Sequence, residues 1–316
     1  MADPREKEFQ ADIVAALESG GWLVGEPTSY DRERALYPED VLAFVQEAHS
    51  NAWDRFCRHY PTDPEKTLLD NLERQLQRHG TLSILRNGFK DRGVRLEFCQ
   101  FQPDHAMNEE AQARFEANRL RVVPEVAYSP YSRESEYDPR LDQVLFVNGL
   151  PVATLEVKSA FQQSVQQAIH QYRKDRPPKA PTSRKTEPLL AFKRGALVHF
   201  AVSQDEVWMT THLNGRDTTF LPFNRGTMAG GAGNPEIPDD YDTAYLWKEV
   251  LAKENWLRIL GRYVHLEREE KQDFHGRPYT EEKLIFPRYH QWDAVRKLLR
   301  TTRKEGPGHR YLLQHS

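Results

Sequence analysis

The tightest constraint on this chain is a pair of apolar runs, residues 141–147 and 150–157, joined at Asn148-Gly149. Asn-Gly between two such runs is the strongest short-range hairpin signal, because both residues tolerate the positive φ of a tight turn. The runs also carry Asp142, Glu156 and, just beyond, Lys158. A carboxylate in an apolar strand is costly unless something compensates it. A divalent cation would do so, and Asp with Glu offers the hard oxygens that Mg2+ prefers. Glu156 and Lys158 are two apart, so a strand points them to one face. Register then decides whether Asp142 joins them. A regular hairpin on a two-residue turn sets Asp142 opposite Leu155, away from Glu156. One extra residue, in a three-residue connection or a bulge, sets Asp142 opposite Glu156. We expect the extra residue, with Gly149 near the left-handed region. Pro151, which lacks an N–H donor, suits an irregular start to the second strand.

The rest of the chain narrows the class. Its 316 residues allow a large core and one or two domains. Charged residues make up 29%, and no apolar run approaches the roughly 18 residues of a membrane span. The start, Met-Ala-Asp-Pro-Arg-Glu-Lys-Glu, has no signal-peptide core. Cys57 and Cys99 form no disulfide or metal-ligand pattern, which fits reduced thiols in a cytoplasmic protein. With a net charge of −3, nucleic-acid binding would need a local basic surface. One exists between residues 173 and 185, where Arg173, Lys174, Arg176, Lys179, Arg184 and Lys185 face a single acid, Asp175. Such a loop suits phosphate contacts, with a merely solvated loop as the plainer alternative.

Periodicity predicts helices over residues 7–19, 40–48, 68–79, 107–118 and 162–174, the last presenting Val165, Ala168, Ile169 and Tyr172 on one face. Further helices are expected at 245–252, 256–263 and through Val295, Leu298 and Leu299. Strands are expected at 94–101, 119–126, 196–202 and 207–213, with a buried strand at Tyr311-Leu312-Leu313-Gln314. The glycines between 226 and 233 lack the Gly-Lys-Ser/Thr ending of a phosphate loop, so this stretch reads as a loop or junction.

Asp142, the turn, and Glu156-Val157-Lys158 together resemble the PD-(D/E)XK nuclease signature. The surrounding motifs are more specific. Asn118-Arg119-Leu120-Arg121-Val122-Val123, Leu145-Phe146-Val147-Asn148-Gly149-Leu150-Pro151, Gln171-Tyr172-Arg173-Lys174-Asp175-Arg176, Phe220-Leu221-Pro222-Phe223-Asn224-Arg225-Gly226 and Phe286-Pro287-Arg288-Tyr289-His290-Gln291 resemble the R subunit of type I restriction-modification enzymes. The resemblance runs from about residue 118 onward and more loosely through the start. It implies an α/β fold of the restriction-endonuclease kind, a mixed central sheet flanked by helices, followed by the first elements of a RecA-like motor. The implied division is an endonuclease domain over residues 1–225 with helical insertions at about 30–117, a junction over 226–280, and a truncated motor domain over 281–316.

The resemblance also implies a chemistry. Asp142, Glu156 and the backbone carbonyl of Val157 would hold Mg2+ or Mn2+, and Lys158 would stabilise the attacking water and the phosphate. Glu8 on the first helix is a further acid that such nucleases use, or else a solvated first-turn residue. Nucleases of this class often carry a Gln four residues before a Tyr; here Ala168 stands there and Gln167 lies five before Tyr172, which could equally be a core residue. Gln291 would recognise adenine. With no phosphate loop, ATP would serve only the full-length, DNA-translocating protein. Partners would be DNA and the methyltransferase (M) and specificity (S) subunits, with no membrane. The other reading is a non-catalytic module that anchors the motor to the methyltransferase.

Overall fold

A computed structural model describes residues 4–103, 108–132, 137–159, 164–227, 230–306 and 308–313. The chain opens with helix α1 (Pro4–Ser19) and strand β1 (Leu23–Val24). Four helices follow: α2 (Pro38–Ala48), α3 (Ser50–His59), α4 (Pro64–His79) and α5 (Thr81–Asn87). A small hairpin, β2 (Phe89–Asp91) and β3 (Val94–Leu96), leads to α6 (Glu109–Glu116). Then come β4 (Leu120–Ala127), β5 (Arg140–Val147), β6 (Leu150–Val157), α7 (Val165–Lys174), β7 (Val198–Val202), β8 (Val207–Thr210) and β9 (Leu221–Pro222). Two π-helical turns, Leu246–Val250 and Ile259–Tyr263, flank α8 (Lys253–Arg258). The hairpin β10 (His265–Gln272) and β11 (Pro278–Ile285) and the helix α9 (Tyr289–Glu305) complete the set.

Seven strands form one mixed sheet in the order β1-β4-β5-β6-β7-β8-β9. β1 lies parallel to β4 and β6 parallel to β7; the other neighbours are antiparallel. A parallel pair needs a crossover, and α7 supplies it between β6 and β7. Successive residues of β5 go to opposite sides. Val144 and Phe146 pack with Val165, Ala168, Ile169 and Tyr172 of α7. Leu145 and Val147 join the larger core with Phe9, Ile13 and Leu17 of α1. The fold is thus mixed α/β with helices on both faces of the sheet.

The inserted helices are bolted to the hairpin rather than draped over it. Asp40 of α2 is fully buried and receives Nε of Arg119 at 2.7 Å and Nε of Arg121 at 2.6 Å. Asn148 in the turn donates to the carbonyl of Phe98 and to Oδ1 of Asn118, and accepts from the amide of Arg119 at 2.7 Å. The carbonyl of Gly149 accepts from the amide of Tyr37 at 2.9 Å. A Cβ added at Gly149, where φ is 78°, would sit 2.4 Å from the Tyr37 oxygen, so only glycine fits this turn.

Several expectations need correction. The strand expected at 94–101 is confined to Val94–Leu96, because it pairs only with β2. The helices at 107–118 and 162–174 are Glu109–Glu116 and Val165–Lys174; Met107 and Gln162 lie outside the described residues. Tyr311, Leu312 and Leu313 form no strand and are exposed, Leu312 by 89%, because no strand among the described residues pairs with them; Gln314 lies outside that set. Separately, Trp247, Val250, Trp256 and Leu260 belong to the main core. There the ring of Phe9 meets those of Tyr241 at 4.6 Å and Trp247 at 5.9 Å. The long β10–β11 hairpin has no counterpart in the periodicity of the sequence. Its strands are mostly exposed and are joined by cross-strand pairs such as Lys271 with Glu281 and Arg268 with Glu282, so they carry no apolar alternation.

Candidate active site at the β5–β6 hairpin

The hairpin resolves the register question in favour of a bulge. Val147 pairs with Leu150 and Phe146 with Pro151, as a two-residue turn requires. Asn148 and Gly149 both have positive φ, 49° and 78°, the signature of a type I′ turn. The register then shifts, and Leu145 pairs with Ala153 rather than Val152. The bulge is the extra residue; the three-residue loop is not used. Continued one step beyond the Gln143–Leu155 pair, the shifted register brings Asp142 opposite Glu156. Asp142 Oδ2 accepts the amide N–H of Val157 at 2.6 Å.

Glu156 is fully buried on the face of Thr154, whose hydroxyl meets that of Tyr172 at 2.7 Å. Its Oε1 accepts from Nε of Arg176 at 2.7 Å, and its Oε2 has no hydrogen-bond partner. Lys158 is buried and donates to Glu6 Oε1 at 2.8 Å. The electrostatics tie these groups together. Burial raises the Asp142 carboxyl to about 6, with Lys158 and the Val157 amide opposing the rise. Burial also pushes Glu156 well above the usual carboxylate range, and neighbouring Asp142 pushes it further, against the pull of Arg176 and Lys158.

A divalent cation fits this donor set. Asp142 and Glu156 are buried side by side, and Glu156 Oε2 has no partner, so a hard cation would find an unused carboxylate oxygen there. Among the described residues no group of three or more His, Cys, Asp or Glu side chains is placed to hold a metal, so a backbone carbonyl or waters would have to complete the coordination.

The other expected residues are distributed as follows. Glu8 is exposed, and its neighbour Glu6 is the buried acid of α1 that reaches the site. Helix phase explains the exchange: Glu6 falls on the same stripe as Phe9, Ile13 and Leu17, whereas Glu8 falls off it. Tyr172 is buried in the core with its hydroxyl engaged by Thr154, and burial pushes its pKa up. Gln167 is exposed on α7. In the basic loop, Lys174, Lys179, Arg184 and Lys185 are exposed, while Arg173 is tied to the carbonyl of Thr218 at 2.9 Å. Arg176, expected to face DNA, turns inward to Glu156 instead. It follows Tyr172 by four, so it continues the buried face of α7. Gln291 caps α9, its Oε1 accepting from the amide of Arg288 at 3.0 Å.

Glu125 is a further acid beside the site. It lies in β4 between the Pro124–Gln143 and Val126–Leu141 pairs, opposite Asp142, with φ at 51°. A non-glycine residue in the left-handed region within a strand is strained, and such strain gathers at functional sites. Its charge adds to the upward push on Asp142. No sequence signal marks it, because the kink exists only in the folded sheet.

A mixed sheet, with two carboxylates and a lysine gathered at the ends of two adjacent strands, defines an α/β protein with a buried charged cluster at one sheet position. The sequence matches the family described as type I restriction enzyme R protein N terminus over residues 46–218, and the chain belongs to that family. A search among curated proteins finds no match. No helix among the described residues is long and apolar enough to cross a membrane.

Proposed function

We propose that the β5–β6 site is the metal-dependent nuclease centre of a type I restriction enzyme R subunit, hydrolysing DNA phosphodiester bonds. The carrying observation is the buried Asp142–Glu156 pair, with Glu156 Oε2 unpartnered and Asp142 raised to about 6. Asp142, Glu156 and the Val157 carbonyl would hold Mg2+ or Mn2+. When bound, the cation supplies a Lewis acid that eases deprotonation of a water and neutralises phosphate charge. Lys158 orients the attacking water and stabilises the charge that builds on the phosphate. Glu6 fixes the ammonium of Lys158 at 2.8 Å, so the cation enters the site already oriented. The exposed lysines and arginine of the 173–185 loop hold the DNA backbone, which sets affinity rather than sequence choice. Methyltransferase and specificity subunits supply the sequence choice, and ATP serves the full-length motor, in which Gln291 would meet adenine.

Plasmid cleavage in Mn2+ tests the proposal. The protein is expected to nick or linearise supercoiled DNA, and Asp142→Ala to abolish the cut while still folding. Cleavage that survives Asp142→Ala would place the activity elsewhere. A protein that binds Mn2+ and DNA yet never cuts would favour the anchoring module.

A further inference from the structure

We propose that Arg176 is a built-in occupant of the Glu156 carboxylate that is drawn off by a DNA phosphate, so that the site takes up its divalent cation together with DNA rather than before it. The inference rests on the nuclease reading above and goes beyond it to the order of assembly.

The geometry carries it. Nε of Arg176 sits 2.7 Å from Glu156 Oε1, and the guanidinium-bearing side chain is only 12% exposed. With Lys158, this charge offsets part of the cost of burying Glu156. A divalent cation on the same carboxylate would lie against a guanidinium that keeps its charge throughout the accessible pH range. The two positive groups repel, so each lowers the affinity of the site for the other. The backbone of Arg176 is pinned, its amide donating to the carbonyl of Gln171 at 3.0 Å, and Pro177-Pro178 follow directly. The side chain is therefore the part that moves. Nη1 makes one 3.3 Å bond to the Asp175 carbonyl, and Nη2 makes none among the described residues, so part of the guanidinium fork is open. A phosphate oxygen pair fits that fork in bidentate fashion. The exposed Lys174 and Lys179 flank Arg176 in sequence and would bring a DNA backbone to the same place.

The arrangement is a thermodynamic coupling, and coupling is reciprocal. Whatever factor DNA adds to cation affinity, the cation adds to DNA affinity. Removing the Arg176 charge should raise affinity for the cation without DNA and erase most of the gain that DNA confers.

The test is calorimetric Mn2+ titration of the whole protein, alone and with a phosphorothioate duplex that resists cleavage. In the wild type, the duplex should raise Mn2+ affinity by about tenfold or more. Arg176→Gln, which keeps an N–H donor for Glu156, should bind Mn2+ about tenfold more tightly than wild type in the absence of DNA, and the duplex should add less than about threefold. Arg176→Lys keeps the charge and should stay within about threefold of wild type without DNA. It decides the matter if Arg176→Gln does not fold: a tenfold rise in Arg176→Lys overturns the latch. Equal DNA-free affinities for wild type and Arg176→Gln, with binding lost in Asp142→Ala, overturn the latch and leave the metal site standing. Absence of Mn2+ binding in every variant, with and without DNA, overturns the nuclease reading and the latch together.

Discussion

Replacing Asp142 by Asn measures the electrostatic cost that the cation-free site carries. Burial holds the Asp142 carboxyl at about 6, against 3.8 for an ordinary aspartate. Below 3.8 it is protonated in both the folded and the unfolded chain, and contributes nothing to the pH dependence. Between 3.8 and about 6 the unfolded chain releases the proton while the folded protein keeps it, so stability falls as pH rises. Above about 6 both states are ionised and the loss is complete, amounting to about 3 kcal/mol. Asparagine has no proton to release, and its side-chain oxygen can still accept from the Val157 amide. It also removes the charge that pushes Glu156 upward, which acts in the same direction. For a chain of 316 residues, about 3 kcal/mol corresponds to a rise in Tm of about 5 °C. The assay is thermal and urea unfolding in EDTA from about pH 4 to pH 8. Asp142→Asn should be the more stable protein at neutral pH, with the gap closing toward pH 4. Parallel pH profiles for the two proteins would refute the argument, because they would mean that Asp142 ionises equally well in both states.

Lys158→Ala should leave Mn2+ affinity unchanged or slightly higher in calorimetry while plasmid cleavage collapses, since the substitution removes a cation and not a ligand; normal cleavage would remove Lys158 from the mechanism. Asp40→Ala should cost about 3–5 kcal/mol in urea unfolding, because it strands two arginines whose shared carboxylate is fully buried; a loss under about 1 kcal/mol would show that the arginines find other partners. Alanine at Lys174, Lys179 and Lys185 should lower the slope of log affinity against log salt by up to about 0.9 for each duplex phosphate that the protein no longer neutralises. An unchanged slope would mark the loop as solvated surface.

The hairpin and its carboxylates were legible because their signals are local. Asn148-Gly149 fixes the turn, Pro151 announces an irregular strand, and the alternation of Glu156 and Lys158 follows from pleat geometry alone. The bulge was one of two possibilities the sequence left open, since pairing depends on which residue the sheet can accommodate as the extra one. Glu6 and Arg176 were within reach. Each lies at helical spacing from an apolar stripe, Glu6 three residues before Phe9 and Arg176 four after Tyr172. A charged residue at such spacing ordinarily faces solvent or a polyanion, whereas here each finds a buried partner of opposite charge. The β10–β11 hairpin was illegible because salt bridges, not apolar alternation, hold it, and the kink at Glu125 because it arises only from the sheet around it.

The first helix has consequences for how the protein is made. Its Phe9 rests on Tyr241 and Trp247, and the indole of Trp22 just beyond it donates to the carbonyl of Leu251, 229 residues downstream. Its acid Glu6 meets Lys158 152 residues downstream. A ribosome adding about 5–20 residues each second would take roughly 10–50 s to deliver the partners of that helix after the helix itself has emerged. Through that interval a newborn chain can cover the apolar stripe of α1 only with the earlier strands, and the Phe9 ring waits for Tyr241 and Trp247. Lys158, by contrast, finds its anchor Glu6 already made, and needs only that the chain close on its own beginning.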